Sequence, residues 1–175
     1  MGNTLTLKRA YDWFGWQRSV VLLMVGPPFA GKTTLLYQMH LGETTHTVPT
    51  IGANIEELKR GNLRMQVWDV GGSTPWSYYA RDANAVVLVL DASDPAAATQ
   101  VQTALRELTG TLRHRQAPLL IFANKQDHPK AQGVGLFEHE VRVSALTDSR
   151  CHVTECCALT GEGVEAGLLW LRQAV

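Results

Sequence analysis

The chain has 175 residues, 45% of them apolar, which suffices for one compact domain with a buried core and no need of a disulfide or a structural metal. Sixteen basic side chains offset sixteen acidic ones, so no overall field draws the protein to nucleic acid or to an anionic membrane, and any such contact must be local. No apolar run approaches the ~20 residues that span a bilayer and no signal-peptide apolar region is seen, while Cys151, Cys156 and Cys157 lack metal-ligand spacing; the expectation is a soluble, cytoplasmic monomer with reduced thiols.

In chain order, residues 1–17 read as an amphipathic helix and candidate lipid anchor ahead of a domain spanning 18–175. Leu7, Ala10, Tyr11 and Phe14 share one helical face, with Trp13 and Trp16 off it. "MGNTLT" matches the M-G-x-x-x-[ST] pattern for myristoylation of Gly2. One myristoyl chain binds membranes only marginally, on the order of 10⁴ M⁻¹, so a peripheral membrane contact would need the helix as a second signal. The alternative is an unmodified helix whose aromatics fill a groove on the domain. Residues 20–25, 63–68, 86–90 and 119–123 are short, nearly all-apolar runs that suit strands covered on both faces. A weaker run lies at 152–156, and an alternating one at 54–58 reads as an edge strand.

Between the strands lie helical patterns. Asp94 caps a helix with Pro95 as its first residue, and Ala98, Val101, Leu105, Leu108 and Leu112 follow at helical spacing. Val164, Leu168, Leu171 and Val175 make another stripe, whereas residues 133–148 leave their helix poorly defined. Strands alternating with helices predict an α/β doubly wound domain: a six-stranded, mostly parallel sheet, helices on both faces, and ligand loops at the carboxyl ends of the strands.

Four loops carry the chemistry. "GPPFAGKT", residues 26–33, follows the first strand and opens a helix, as the phosphate-loop signature requires. From Gly26 through Ala30 its backbone would wrap phosphate oxygens; Lys32 reaches the terminal phosphates, a catalytic contribution if they are transferred, and the Thr33 hydroxyl belongs to a Mg²⁺ shell. Pro27 and Pro28 have no N–H to donate, so the cradle rests on the amides of Phe29, Gly31, Lys32 and Thr33. "DVGG", residues 69–72, places Asp69 to hold Mg²⁺ through a water and the Gly72 amide to sense a γ-phosphate. In "NKQD", residues 124–127, Asp127 can accept from the two adjacent donors of guanine, a pair adenine lacks, while Lys125 packs along the base and Asn124 completes the loop. "CAL", residues 157–159, offers the Ala158 amide to the guanine oxygen, flanked by Cys157 and Leu159. Each pattern alone is common, and a polar turn would explain any one of them; their order and their places at strand ends point to GTP or GDP with Mg²⁺.

With these motifs the sequence resembles the Ras-superfamily small GTPases, and within them the ADP-ribosylation-factor (Arf) and Arf-like family. "MGN" at the start, "LGETTHTVPTIGANIE" at 41–56, "WDVGG", "NKQD" and "GEGVEAGLLWL" at 161–171 carry the likeness. It implies a P-loop GTPase fold in which Thr34 touches the α-phosphate and Thr50 reaches Mg²⁺ only with GTP. It also implies partners of three kinds, an effector protein, an exchange factor and an activating protein, and a role in membrane or ciliary trafficking. Departures accompany it: Ser73 stands where the family has the glutamine that positions the attacking water, Pro28 replaces an aspartate, the segment "STPWS" is short, and Ala53 replaces a phenylalanine that would join Trp68 and Tyr78 in an aromatic effector patch. Two readings follow: a GTP/GDP switch with poor intrinsic hydrolysis, or a constitutively GTP-loaded scaffold.

Overall fold

The computed structural model describes residues 18–41, 53–60, 63–70, 75–143 and 150–175. The terminal segment with Gly2, Thr50, expected to act as the switch threonine, and Gly72 and Ser73 lie outside the described residues.

The elements run β1 (Arg18–Val25), α1 (Lys32–Leu41), β2 (Ala53–Arg60), β3 (Leu63–Val70), α2 (Trp76–Ala80), β4 (Ala85–Asp91), α3 (Ala97–Arg115), β5 (Leu119–Asn124), α4 (Val134–Val143), β6 (Cys151–Glu155) and α5 (Val164–Ala174). The strands form one sheet in the order β2-β3-β1-β4-β5-β6. All neighbours are parallel except β2 and β3, which pair antiparallel. The six-stranded, mostly parallel sheet expected from the sequence is therefore present.

Alternation along the strands divides the core in two. Leu23, Val25, Leu88 and Ile121 face one side with Ala80 of α2, Val101 and Leu105 of α3, and Phe137 of α4. Leu22, Met24, Val87 and Phe122 face the other with Leu35 and Met39 of α1 and Leu168 and Leu171 of α5. Helices on both faces explain why β4 and β5 read as continuous apolar runs: each strand is buried along its length, apart from partial exposure of Asp91 at the end of β4. No helix among the described residues is long and apolar enough to cross a membrane.

Two helix starts differ from expectation. Regular α3 begins at Ala97 rather than Pro95, because Asp94 first closes a turn: its Oδ1 accepts the Ala96 amide at 2.8 Å and its carbonyl accepts the Ala97 amide at 3.0 Å. Ala97 rather than Ala98 then heads the buried stripe. Of residues 133–148, ambiguous by pattern, Val134–Val143 form a helix and 144–148 lie outside the described residues; Val134 N donates to Glu155 Oε1 of β6 at 2.7 Å.

The short α2 has no cap from its own N-cap residue, Pro75, and takes one from α3: the Trp76 amide donates to the Glu107 carboxylate. Removing that acceptor by Glu107→Ala should cost about 1–2 kcal/mol, the scale of a lost helix cap or charge-assisted hydrogen bond. Hydrogen exchange read at residues 76–80 should accelerate selectively, and unchanged protection there would show that the contact does not hold the helix.

Candidate nucleotide site

The carboxyl ends of β1, β3, β4, β5 and β6 lie along one edge of the sheet, where ligands bind in open α/β folds. From β1 the chain enters Gly26 and then a turn in which the Ala30 amide reaches the Pro27 carbonyl at 3.4 Å. Pro28 and Phe29 are its central residues, and Phe29 adopts φ 64°. This is the pattern of a type II turn, which favours proline first and normally wants glycine or asparagine second. A phenylalanine at positive φ carries strain of order 1–3 kcal/mol. At Gly31, φ 95°, an added Cβ would sit 2.4 Å from Asn124 Nδ2, so the loop runs hard against the end of β5.

Helix α1 follows at once, with Leu35 N donating to the Gly31 carbonyl at 2.8 Å. The first-turn amides of a helix precede its internal pairing and favour an anion. Lys32 is largely buried, and its Nζ donates to the Gly26 and Pro27 carbonyls at 2.8 and 3.0 Å. Burial pulls its pKa below the ordinary lysine value, against the opposing pull of nearby Asp69. Thr33 Oγ1 donates to Asp69 Oδ2 at 2.7 Å, joining α1 to β3 through two hard oxygen donors. A buried ammonium, helix-opening amides and this oxygen pair are the donor set that a magnesium-bound polyphosphate requires. The residues fit the group that the sequence implied.

The half expected to read the base is built on Asn124. Its side chain, read from the sequence as completing the loop, is 1% exposed and braces the protein. Nδ2 donates to the Ala30 carbonyl at 2.8 Å, and Oδ1 accepts the Ala158 amide at 2.9 Å and the Cys156 thiol at 3.4 Å. The Ala158 amide, expected to face a guanine oxygen, thus also meets Asn124. Asp127 is exposed, and Cys157 Sγ donates to its Oδ1 at 3.2 Å, orienting the carboxylate. Burial, with Cys157 adjacent, pushes the Cys156 thiol far above its usual range, and burial pushes Cys151 to about 12, which favours the protonated thiol at both.

Two residues of the site, Asp91 and Ser93, were not singled out by the motifs. Lys125, held at φ 66°, places its Nζ 2.6 Å from Asp91 Oδ2 at the end of β4. Ser93 donates to the other oxygen of Asp91 from its amide at 2.9 Å and its hydroxyl at 2.6 Å. Burial raises the Asp91 pKa, but the hydrogen bonds from Lys125 and Ser93 outweigh it and hold the carboxyl below the ordinary aspartate value. The pair therefore contributes above the unfolded aspartate pKa and is lost as pH falls through the lowered one. The signal was the aspartate ending an apolar run in "VVLVLD", which pattern alone left without a partner.

Of the aromatic patch, Trp68 is half-buried and meets Tyr79 edge-on at 6.4 Å, and Tyr79 meets Tyr78 at 5.3 Å. Tyr78 is exposed, and Ile55, also exposed, pairs with Trp68 across β2 and β3 and so shares its face. The Trp68 indole N–H is buried with no hydrogen-bond partner among the described residues.

The ADP-ribosylation factor family model matches residues 7–175. This chain belongs to the Arf family. Among relatives, ADP-ribosylation factor-like protein 5A of Rattus norvegicus and that of Homo sapiens are each 38% identical over 170 residues, covering 93% of this chain and 93% of theirs. Among solved structures, the Arl6 (BBS3) small GTPase from Trypanosoma brucei with bound nucleotide analogue GppNp superposes with a TM-score of 0.75 at 27% identity, covering 89% of this chain and 96% of that one. Fold and family membership thus agree with the small-GTPase reading.

Proposed function

We propose that this Arf-family chain is a Mg²⁺-dependent guanine-nucleotide switch that grips GTP or GDP and hydrolyses GTP poorly by itself. The observation that carries the reading is the brace: one buried side chain, Asn124, ties the phosphate loop at Ala30 to the base-reading loop at Ala158. A structural neighbour's GTP analogue supports the ligand class.

In this reading Lys32 leaves its loop carbonyls for the terminal phosphates, and the amides opening α1 take the remaining phosphate oxygens. Thr33, with Asp69 through a water and Thr50, would hold magnesium. When bound, magnesium neutralises charge on the β- and γ-phosphate oxygens. Asp127, aimed by Cys157, selects guanine. Ile55, Trp68, Tyr78 and Tyr79 offer an apolar face to an effector.

A serine side chain is several bonds shorter than a glutamine amide, so Ser73 is expected to position the attacking water poorly. The expected intrinsic rate is at or below that of unassisted Ras, on the order of 10⁻⁴ s⁻¹. Single-turnover hydrolysis with purified protein measures it, and a much faster rate lost in Ser73→Ala would show that the serine does position water. The scaffold reading draws on one observation, the Glu107 contact that pins α2 to α3. Chromatography of the nucleotide retained through purification separates the two: GTP alone favours the scaffold, GDP the switch, and no guanine nucleotide neither.

A further inference from the structure

Among the described residues three non-glycine positions have positive φ: Phe29, Gln116 and Lys125. Gln116 directly follows α3, where a left-handed residue ends a helix, and Lys125 is held by its ion pair with Asp91. At Phe29 the turn explains the φ but not the side chain. The turn wants glycine or asparagine there, yet the chain carries a large aromatic, and 78% of it is exposed. Neither the backbone nor the core gains from it.

Its surroundings indicate what does. The next residue, Ala30, is buried and held by Asn124, and the residue after Asn124 is Lys125, which the proposed site sets along the base. Phe29 is therefore an exposed residue of the phosphate loop, one position before the point at which Asn124 clasps that loop. Pro27 and Pro28 before it and the grip on Ala30 after it restrict the backbone on both sides, so the ring is presented from a stiff mount.

We propose that Phe29 is an aromatic wall of the nucleotide site: its side chain covers the ribose-phosphate portion of a bound guanine nucleotide and prolongs its residence. Guanine selection stays with Asp127, and residence time is set in part by Phe29. The inference rests on the guanine-nucleotide reading above. The bound nucleotide supplies the apolar sugar face that the protein leaves uncovered, which is a reason to keep a strained aromatic where glycine would relax the loop.

The test measures dissociation of a fluorescent N-methylanthraniloyl GDP from the full chain in Mg²⁺, beside the melting temperature of nucleotide-free protein. Phe29→Ala and Phe29→Gly should release nucleotide about ten-fold faster, equivalent to about 1.4 kcal/mol, and Phe29→Tyr should restore slow release. The preference for GDP over ADP should persist in all variants. Phe29→Gly should also melt higher without nucleotide, since glycine removes the strain, so stability and residence move in opposite directions. Release within about two-fold of wild type in both the alanine and glycine variants, with guanine preference intact, would overturn the wall alone. A wild type that binds ADP as well as GDP would overturn the underlying reading and the wall with it.

Discussion

Replacing Asp127 by asparagine is expected to weaken GTP binding by roughly 10²–10⁴-fold and to strengthen binding of xanthosine triphosphate, because two charge-assisted hydrogen bonds at about 1.5–3 kcal/mol each are removed or reversed. Guanine presents adjacent N–H donors to this carboxylate; xanthine presents a carbonyl in place of one of them, which an asparagine amide can meet. Asp127 is exposed and, among the described residues, its side chain accepts the weak thiol donor of Cys157, so the substitution should leave folding intact. Affinity can then be read without a stability correction, by competition against a fluorescent GDP. Equal affinity of the wild type for ATP and GTP would remove the guanine reading.

Gly26→Ala should lower stability by roughly 3–5 kcal/mol, combining a strained backbone with overpacking. Gly26 has φ 151°, and an added Cβ would lie 2.1 Å from the carbonyl oxygen of Val89. That atom cannot retreat: Val89 is fully buried in β4 and paired in register with Phe122 of β5. Thermal unfolding of the nucleotide-free protein should fall by about 10 °C for a domain of this size. Gly110→Ala is the control, since nothing lies within 4 Å of its added Cβ and alanine improves a helix interior. A Gly26 variant that melts with the wild type would show that β1 and β4 can part at this point.

The strands were legible because burial on both faces leaves only apolar residues between turns, as in β4 and β5. Four loops stood out as nucleotide candidates because each uses a residue type that backbone approach or charge demands. What stayed hidden depends on distant partners. Gly133 and Gly135 obscured α4, whose first amide is held by Glu155 from β6. The fixed start of α2 needs Glu107, and the left-handed Lys125 needs Asp91; neither partner is a sequence neighbour. Asn124 was read as part of the base loop, but its main contact reaches 94 residues back to Ala30, which no local pattern records.

That brace also sets an order of events during synthesis. The phosphate loop leaves the ribosome 94 residues before the amide that will clasp it, and a further 34 residues separate that amide's residue from Ala158. Such long closures are slow and come late, because chain entropy must be lost before the contact is gained. The nascent amino-terminal half carries the recognisable lysine and threonines with no cage around them. A clasped nucleotide is therefore a certificate that β5 and β6 have joined the sheet, and the ligand rewards only a finished chain.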